Sequence, residues 1–319
     1  MPKKLTLGID LGGTGIKLGL ITHTGEIINS FRFSTPSKRD AKEVINQIAG
    51  HARELIGTAG NAKISGIGIG AAGDVAPETG VVRISPNLGW HNVPLKALLS
   101  RRLKYPIVVE NDANAAAWAA YVVQARRKIR HLLCVTVGTG IGGGIVLNGK
   151  LYRGATGTAG EIGHMTLFPE GHPCNCGNRG CLERYIGVKA MVQEAKQAIA
   201  SGKTSLITKL CEGDHSKIDP LLIEQAASQG DALAIHIWEQ AGERLGIALA
   251  SLVNILNPEW IVLAGGLSRA GNLLLTPLKR TIKKRSFPVP ASTVRIVISD
   301  LDQDLGIVGA GLVAHEMSA

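Results

Sequence analysis

The segments LGIDLGGTGIKLGLI (residues 7–21) and LCVTVGTGIGGGIVL (residues 133–147) share one pattern: an apolar run, a turn rich in glycine and threonine, and a second apolar run. Apolar runs joined by glycine-containing turns are typical of β-hairpins. A repeated supersecondary unit indicates a duplicated architecture. The two segments therefore predict an α/β fold with two lobes, each containing one such hairpin.

The remaining apolar residues predict further strands and helices along the chain. We expect strands at residues 26–33, 64–69, 106–109, 260–263 and 294–298. We expect helices at residues 42–55, 232–256 and 305–317, and an Ala-rich helix that begins at Asp112. An irregular insertion at about residues 154–183 interrupts the second half.

The composition favours an α/β enzyme over an all-β binding module. Of the 319 residues, 45% are apolar and only 4% are aromatic, so the core must consist mainly of aliphatic side chains. This length is sufficient for two domains. We expect a small lobe at residues 1–111 together with the C-terminal helix at 305–319, and a larger lobe at 112–304 that carries the insertion.

The formal net charge of +10 raises the local concentration of anions, which suits nucleotides and sugar phosphates but also polyphosphate or nucleic acid. Basic clusters lie at residues 126–130 and 279–285, where solvated helix faces are the simplest interpretation. The N-terminal sequence MPKKLTLGID lacks the pattern of a signal peptide, and no apolar run approaches the length of a membrane span. We expect a cytoplasmic protein without a membrane partner.

The two glycine-rich turns are candidate phosphate loops. In the first turn, Gly12 and Gly13 allow backbone N–H groups to converge on phosphate oxygens, while Thr14 adds a hydroxyl and Lys17 a cation. The Walker spacing is absent, and by itself this turn is explained equally well as an ordinary hairpin. The second turn strengthens the prediction, because two hairpins can hold one polyphosphate from both sides of a cleft. Its residues are Gly138, Thr139 and Gly140.

Two aspartates are candidates for the chemistry of phosphoryl transfer. Asp10 ends the first predicted strand and is a plausible carboxylate for Mg²⁺, although a turn hydrogen bond or a helix cap explains it too. Asp112 follows a strand and opens a helix, a position that tends to expose a side chain to a cleft. A carboxylate there can accept a proton from an attacking hydroxyl. Plain N-capping of the helix is the alternative.

The insertion carries a metal-binding pattern. His164, Cys174, Cys176 and Cys181 supply one imidazole and three thiolates, a closed set of four ligands for tetrahedral Zn²⁺. No position remains for an activated water, so we expect a structural zinc ion. Reduced cysteines without a metal are the alternative.

The tandem hairpins resemble the actin/hexokinase/Hsp70-like ATPase fold. The motifs ENDANAA (residues 110–116) and GEIGH with CNCGNRGCLE (residues 160–164 and 174–183) resemble the ROK family (repressors, open reading frames, kinases), near its glucokinases. The resemblance covers residue 7 to about residue 312. It implies ATP with Mg²⁺ as cofactor, and it implies that Gly265 and Gly266 lie near the adenosine.

The resemblance also implies the residues that bind the sugar. It assigns a sugar hydroxyl to Asn111 and base catalysis to Asp112. Further sugar contacts are implied for Asn87, Glu161, His164 and Glu183. If zinc binds one ring nitrogen of His164, the imidazole is fixed in orientation and its other N–H can point at a hydroxyl.

These features predict an ATP-dependent hexose kinase that converts glucose to glucose 6-phosphate. N-acetylmannosamine or fructose remain alternative acceptors, and polyphosphate remains an alternative donor. The segments AAGD (residues 71–74) and RYIG (residues 184–187) depart from the family pattern beside the sugar, which bears on specificity. A non-catalytic sugar-sensing regulator is the rival from another class. We expect a homodimer or homotetramer, and nucleic acid is an improbable partner because no helix-turn-helix precedes the first strand.

Overall fold

The computed structural model describes residues 4–317, with the side chains of residues 302 and 317 left aside. The strands of this part of the chain are β1 (Lys4–Leu11), β2 (Gly15–Thr22), β3 (Ile27–Ser34), β4 (Lys63–Ala71), β5 (Asp74–Ala76), β6 (Val81–Ser85), β7 (Trp90–Val93), β8 (Ile107–Asn111), β9 (Leu132–Val137), β10 (Ile141–Leu147), β11 (Lys150–Tyr152), β12 (Trp260–Ala264) and β13 (Arg295–Ile298). The α-helices are α1 (Ala41–Gly57), α2 (Leu95–Ser100), α3 (Asp112–Ala119), α4 (Glu183–Ile186), α5 (Val188–Ala200), α6 (Leu206–Leu210), α7 (Pro220–Ser228), α8 (Ala232–Leu256), α9 (Asn272–Arg285), α10 (Pro288–Thr293) and α11 (Leu305–Met317).

The chain divides into two compact units. The first contains the described residues up to 134, residues 144–160 and those from 299 onwards; the second contains residues 135–143 and 161–298. The described part of the C-terminal helix therefore belongs to the same unit as the N-terminal sheet. The lobe boundary at residues 111 and 112 stays a prediction. Among the helices of residues 4–317, none combines the length and apolar character that a membrane span requires.

The first sheet has the strand order β3-β2-β1-β4-β8. β1 and β2 form the predicted antiparallel hairpin, and β4 runs parallel to β1 on one side and to β8 on the other. Parallel strands end at the same edge of a sheet. The pairing places Leu11 and Asn111 on either side of Ala71, so the glycine-rich turn after β1 and the start of α3 lie at one edge.

The second hairpin is also confirmed, as β9 and β10 in a sheet of order β11-β10-β9-β12-β13. The long helix α8 has the predicted bounds, 232–256, and is followed by Asn257 in the left-handed conformation (φ 43°), which ends the helix before Pro258. A third sheet, of order β5-β6-β7, was not predicted. Its strands are three to five residues long, too short for a period of two to be distinguished from a turn.

Glycines bring α11 into direct contact with the backbone of the first sheet. A Cβ atom on Gly68 of β4 would lie 1.8 Å from the carbonyl oxygen of Ala310, and one on Gly8 of β1 would lie 1.9 Å from that of Ile307. A Cβ on Gly309 would likewise lie 1.9 Å from the carbonyl oxygen of Ala115 in α3. Because α11 touches both the strands and α3 in this way, it fixes the position of the helix that Asp112 opens.

We predict that Gly68→Ala lowers the free energy of unfolding by about 3 kcal/mol, because the added methyl group must displace a buried helix. The control is Gly50→Ala in α1, where a Cβ would meet no atom within 4 Å. That change should raise stability by about 0.5–1 kcal/mol, since alanine favours a helix over glycine. Urea unfolding of both variants tests the prediction, and equal effects of the two changes would contradict it.

Candidate active site

Asn111 caps α3, and Asp112 is the first residue inside the helix. The Asn111 side chain accepts a hydrogen bond from the N–H of Asn114 and donates one to the carbonyl of Gly73, both at 3.0 Å. Asp112 Oδ1 accepts a hydrogen bond from the N–H of its neighbour Ala113, at 2.9 Å. The capping role that offered an alternative for Asp112 therefore falls to Asn111. The Asp112 carboxyl is partly buried at the sheet edge.

The first candidate phosphate loop contacts a predicted sugar-binding residue. The loop is closed by a hydrogen bond from the N–H of Gly12 to the carbonyl of Gly15, at 3.1 Å. A Cβ on Gly13 would lie 2.7 Å from the carbonyl oxygen of Asn87, so only glycine permits this approach. Asn87 and the loop residue Thr14 are both exposed. The first unit thus brings the loop, Asn87, Asn111 and Asp112 to the same edge of its sheet.

Asp10 and Lys17 face each other across the hairpin, one strand position behind the loop. Burial raises the pKa of the Asp10 carboxyl, and the charge of Lys17 lowers it by a smaller amount. The Lys17 amine donates a hydrogen bond to the carbonyl of Gln303 at 2.5 Å. The Asp10 carboxylate lies against Gly306 in the first turn of α11, where a helix N-terminus favours negative charge.

The second loop is tied to Glu183, a predicted sugar contact. The Ile141 N–H donates to the Glu183 carboxylate at 3.0 Å, and a Cβ on Gly140 would lie 2.3 Å from the same oxygen. The carbonyl of Gly138 accepts the N–H of Val188 at 3.1 Å. The carboxylate and the start of α5 thereby fix the loop, whose tip residue Thr139 is exposed as Thr14 is in the first loop.

The remaining predicted residues of the second unit border the same loop. Gly163, in the GEIGH motif, packs against the carbonyl of Ile141, from which a Cβ would lie 2.3 Å away. Gly265 has a positive φ of 87° and packs against the carbonyl of Val137, the last residue of β9. Gly266 follows with open space around its α-carbon. The structure thus gathers the candidate adenosine glycines and the GEIGH motif at the second hairpin.

The four predicted zinc ligands form one cluster. The ligand atoms of His164, Cys174, Cys176 and Cys181 all lie within 4.8 Å of one another. The Sγ atoms of Cys176 and Cys181 are 3.6 Å apart, and His164 Nδ1 is 3.7 Å from Cys174 Sγ. Tetrahedral zinc with Zn–S bonds of about 2.3 Å requires S–S separations of about 3.8 Å. The donor set and its spacing fit Zn²⁺, and the distance is too long for a disulfide.

His164 faces the cysteines with one ring nitrogen and a carboxylate with the other. Its Nδ1 lies in the cluster, and its Nε2 is 3.9 Å from the carboxylate of Glu161. Glu161 is exposed, with 52% of its side-chain surface accessible. The geometry leaves Nε2 directed away from the cluster, as a shared role in metal and hydroxyl binding requires.

Glu110 is a residue of the site that the sequence interpretation missed. Its side chain is 3% exposed and accepts hydrogen bonds from the Asn111 N–H and the Asn114 side chain, both at 3.0 Å. Its other oxygen accepts from Arg153 Nε at 2.7 Å. The signal was present, because a charged residue in the apolar run of β8 needs a buried partner. This network holds the strand end from which Asn111 and Asp112 project.

We predict that Arg153→Gln lowers the free energy of unfolding by about 2–3 kcal/mol, because it leaves the Glu110 carboxylate buried without a cation. The loss should stay below that of a fully buried pair, since the Arg153 side chain is 36% exposed. Lys150→Gln, on the neighbouring exposed position of β11, is the control for loss of a positive charge. Urea unfolding measures both, and a control that loses as much stability would refute the role of the pair.

The sequence is similar to known proteins along almost its whole length. The ROK family model matches residues 6–317. A glucokinase of Thermotoga maritima is 36% identical over 317 residues, which cover 99% of each chain. A xylose repressor of Caldicellulosiruptor bescii is 32% identical over 305 residues, which cover 95% of this chain and 76% of the repressor.

A solved structure extends the similarity to the whole fold. A ROK family glucokinase from Streptomyces griseus, in complex with glucose and AMPPNP, superposes with a TM-score of 0.85 at 34% identity, over 98% of this chain and 99% of that one. The predicted actin/hexokinase/Hsp70-like ATPase fold is confirmed by this similarity.

Proposed function

The chain belongs to the ROK family, and from this premise we propose that it is an ATP-dependent glucokinase, which transfers the γ-phosphate of ATP to a hydroxyl of glucose. Glucose 6-phosphate and ADP are the products. The glucokinase of Thermotoga maritima matches along almost its entire length. The structure from Streptomyces griseus, which contains glucose and an ATP analogue, supports both substrates.

One observation carries the proposal: Asp112 opens α3 at the sheet edge that also holds the first glycine-rich loop. We assign Asp112 as the general base. Its carboxylate accepts the hydroxyl proton of the sugar while the hydroxyl oxygen forms a bond to the γ-phosphorus and the bond to the β-phosphate oxygen breaks. Asn111, held by the N–H of Asn114 and the carbonyl of Gly73, orients a neighbouring hydroxyl.

The donor is assigned to the two loops. In the first hairpin the Gly13 N–H and the Thr14 hydroxyl are assigned to the phosphates, Gly12 closes the loop through its bond to the Gly15 carbonyl, and Lys17 adds positive charge behind it. In the second hairpin Thr139 and the Gly140 N–H are assigned to the phosphates, Gly138 closes the loop by donating its N–H to the Gly140 carbonyl, and Gly265 and Gly266 are assigned to the adenosine. Mg²⁺, when bound, neutralises charge on the phosphates. Asp10 is the carboxylate assigned to Mg²⁺. Burial raises the pKa of Asp10, and positive charge nearby, from Lys17 or from the metal ion, favours its ionised form.

The acceptor is assigned to exposed or partly buried polar side chains. Asn87, Glu161, His164 and Glu183 supply carboxylate, amide and imidazole groups that match sugar hydroxyls. Glu183 uses one oxygen for the second loop and keeps the other for a ligand. A structural Zn²⁺ held by His164, Cys174, Cys176 and Cys181 orients the His164 ring for this contact.

Other acceptors and another donor are the alternatives within the kinase class. The alternatives to glucose as acceptor are N-acetylmannosamine and fructose, and the alternative to ATP as donor is polyphosphate. The fold is compatible with each, because it does not determine the individual contacts to the substrate. A non-catalytic sugar-sensing regulator is the candidate from another class. The similarity to a xylose repressor is the observation that supports it. Asp112 and both loops, which a regulator does not need, favour the kinase. The proposed oligomeric state is a homodimer or homotetramer. The proposed location is the cytoplasm, where ATP is abundant.

We predict that Asp112→Asn lowers kcat by at least about 10²–10⁴-fold, because the amide cannot accept the proton. The exposed Asp300→Asn in the same unit is the matched control and should keep full activity. A coupled assay with glucose and ATP measures both variants, and a panel of hexoses and polyphosphate defines specificity. Wild-type activity in Asp112→Asn would remove the assigned base, and a wild type without turnover on any sugar would favour the regulator.

We predict one tightly bound zinc ion per chain, measured by elemental analysis of the purified protein. Cys176→Ser should abolish it, lower the thermal unfolding midpoint and raise the KM for glucose, because His164 loses its fixed orientation. Cys211→Ser, a buried cysteine outside the cluster, should retain the metal. A zinc-free wild type with normal glucose binding would exclude the metal from the site.

A further inference from the structure

The two basic clusters of the sequence differ in structure. Residues 279–285 lie on the solvated face and end of α9, as expected, where Arg280 pairs with Glu239 and Glu243. The cluster at 126–130 is not helical. It follows a π-helical turn (Ala120–Gln124), and both Arg126 and Arg127 adopt the left-handed conformation, with φ of 52° and 55°.

Left-handed backbone is unfavourable for residues other than glycine, so two such residues in succession must be held by their surroundings. The Arg127 N–H bonds to the carbonyl of Tyr121 at 3.0 Å. Its guanidinium lies over the ring of Trp118, 5.1 Å from the centroid, and forms an ion pair with Glu316 at 2.5 Å. The strained turn thus places the Arg127 side chain at the last turn of α11.

A cavity of about 320 Å³ lies at this place. This volume is near the lower end of the range for small-molecule sites, about 300–1,000 Å³. The start of β1, the turn after β2, the start of β4 and the end of α11 all contribute to its wall, which is formed by Lys4, His23, Ser65, Arg127, Leu312, His315 and Glu316.

The wall carries an excess of positive charge. The side chains of Lys4 and His23 are exposed and form no hydrogen bond or ion pair with any residue between 4 and 317. Burial lowers the pKa of His315, and the charges of His23 and Lys4 lower it further, against the opposing effects of the Ile21 carbonyl and Glu316. The Glu316 carboxylate is the single acid of the described wall, and Arg127 pairs with it.

The helix end explains part of this charge. Carbonyl groups at the C-terminus of α11 carry negative partial charge and attract basic groups, which accounts for His315 in its last turn. It does not account for Lys4 and His23, whose side chains reach the cavity from the sheet side without a partner among residues 4–317. A ligand with negative charge would supply the missing partner.

We propose that this cavity binds a phosphate-bearing anion, either inorganic phosphate or a phosphate monoester of sugar size. Lys4 and Arg127 supply positive charge, and the His23 ring and the Ser65 hydroxyl line the wall. The site is separate from the one assigned to the substrates. Asp10 lies against Gly306 in the first turn of α11, whereas the cavity lies at its last turn, nine residues and about 14 Å further along the helix.

Isothermal titration of the full chain tests the proposal, with inorganic phosphate and glucose 6-phosphate as probes. Glucose and AMPPNP are present at saturation so that the assigned substrate sites are filled. We expect Lys4→Gln to weaken phosphate binding by about fivefold and Lys4→Gln with Arg127→Gln by at least about tenfold. The matched control, Arg101→Gln with Lys104→Gln, removes two exposed charges from the same unit and should leave binding within twofold.

Two further results keep the test independent of folding and of the proposed activity. Glu316→Gln removes the competing acid and frees Arg127, so it should tighten phosphate binding by about three- to tenfold; no unfolded variant gains affinity in this way. Tighter binding of glucose 6-phosphate than of phosphate assigns the cavity to a sugar phosphate, and equal binding assigns it to the phosphate group. The proposal is overturned if the wild type binds neither probe, or if the cavity and control variants bind equally, whether or not the chain phosphorylates glucose.

Discussion

The direct contact between α11 and the backbone of the first sheet is the constraint on which the first unit depends. Glycines at positions 8, 68 and 309 remove the side chains that would keep the helix at an ordinary packing distance. The helix can therefore lie on β1, β4 and α3 at once. Because α3 begins at Asp112 and β1 ends at the first loop, this one packing arrangement sets the separation of the candidate base from the candidate phosphate loop.

In the second unit a carboxylate has the corresponding role. The Glu183 carboxylate accepts a hydrogen bond from the N–H of Ile141 and lies over Gly140. A predicted sugar contact therefore holds a predicted phosphate loop in place. The cysteine cluster contacts His164, the last residue of the GEIGH motif, and the preceding Gly163 packs against Ile141 at the start of β10. The candidate metal ligands and the candidate substrate residues are therefore parts of one local structure, which explains why they occur together in the sequence.

Much of the fold followed from patterns in the chain. Both hairpins were visible because glycine-rich turns between apolar runs have few other structures available. The bounds of α8 and α11 agreed with the prediction, and α8 ends at a strong stop signal, Asn257 before Pro258. The sheet β5-β6-β7 was missed because its strands are short, and Asn111 was not recognised as the cap because Asn and Asp are equally good at that position.

The sequence by itself determined the chemical inventory: a carboxylate after a strand, two glycine loops, and one histidine with three clustered cysteines. These are local features, since each depends on residue type and on spacing within a few positions. Only the tertiary structure decided which groups meet. Glu110 and Arg153 are 43 positions apart in the sequence and form an ion pair. Lys4, Arg127 and Glu316 line one cavity although they come from nearly opposite ends and the middle of the chain. Such meetings depend on how the strands and helices pack, and no local pattern encodes them.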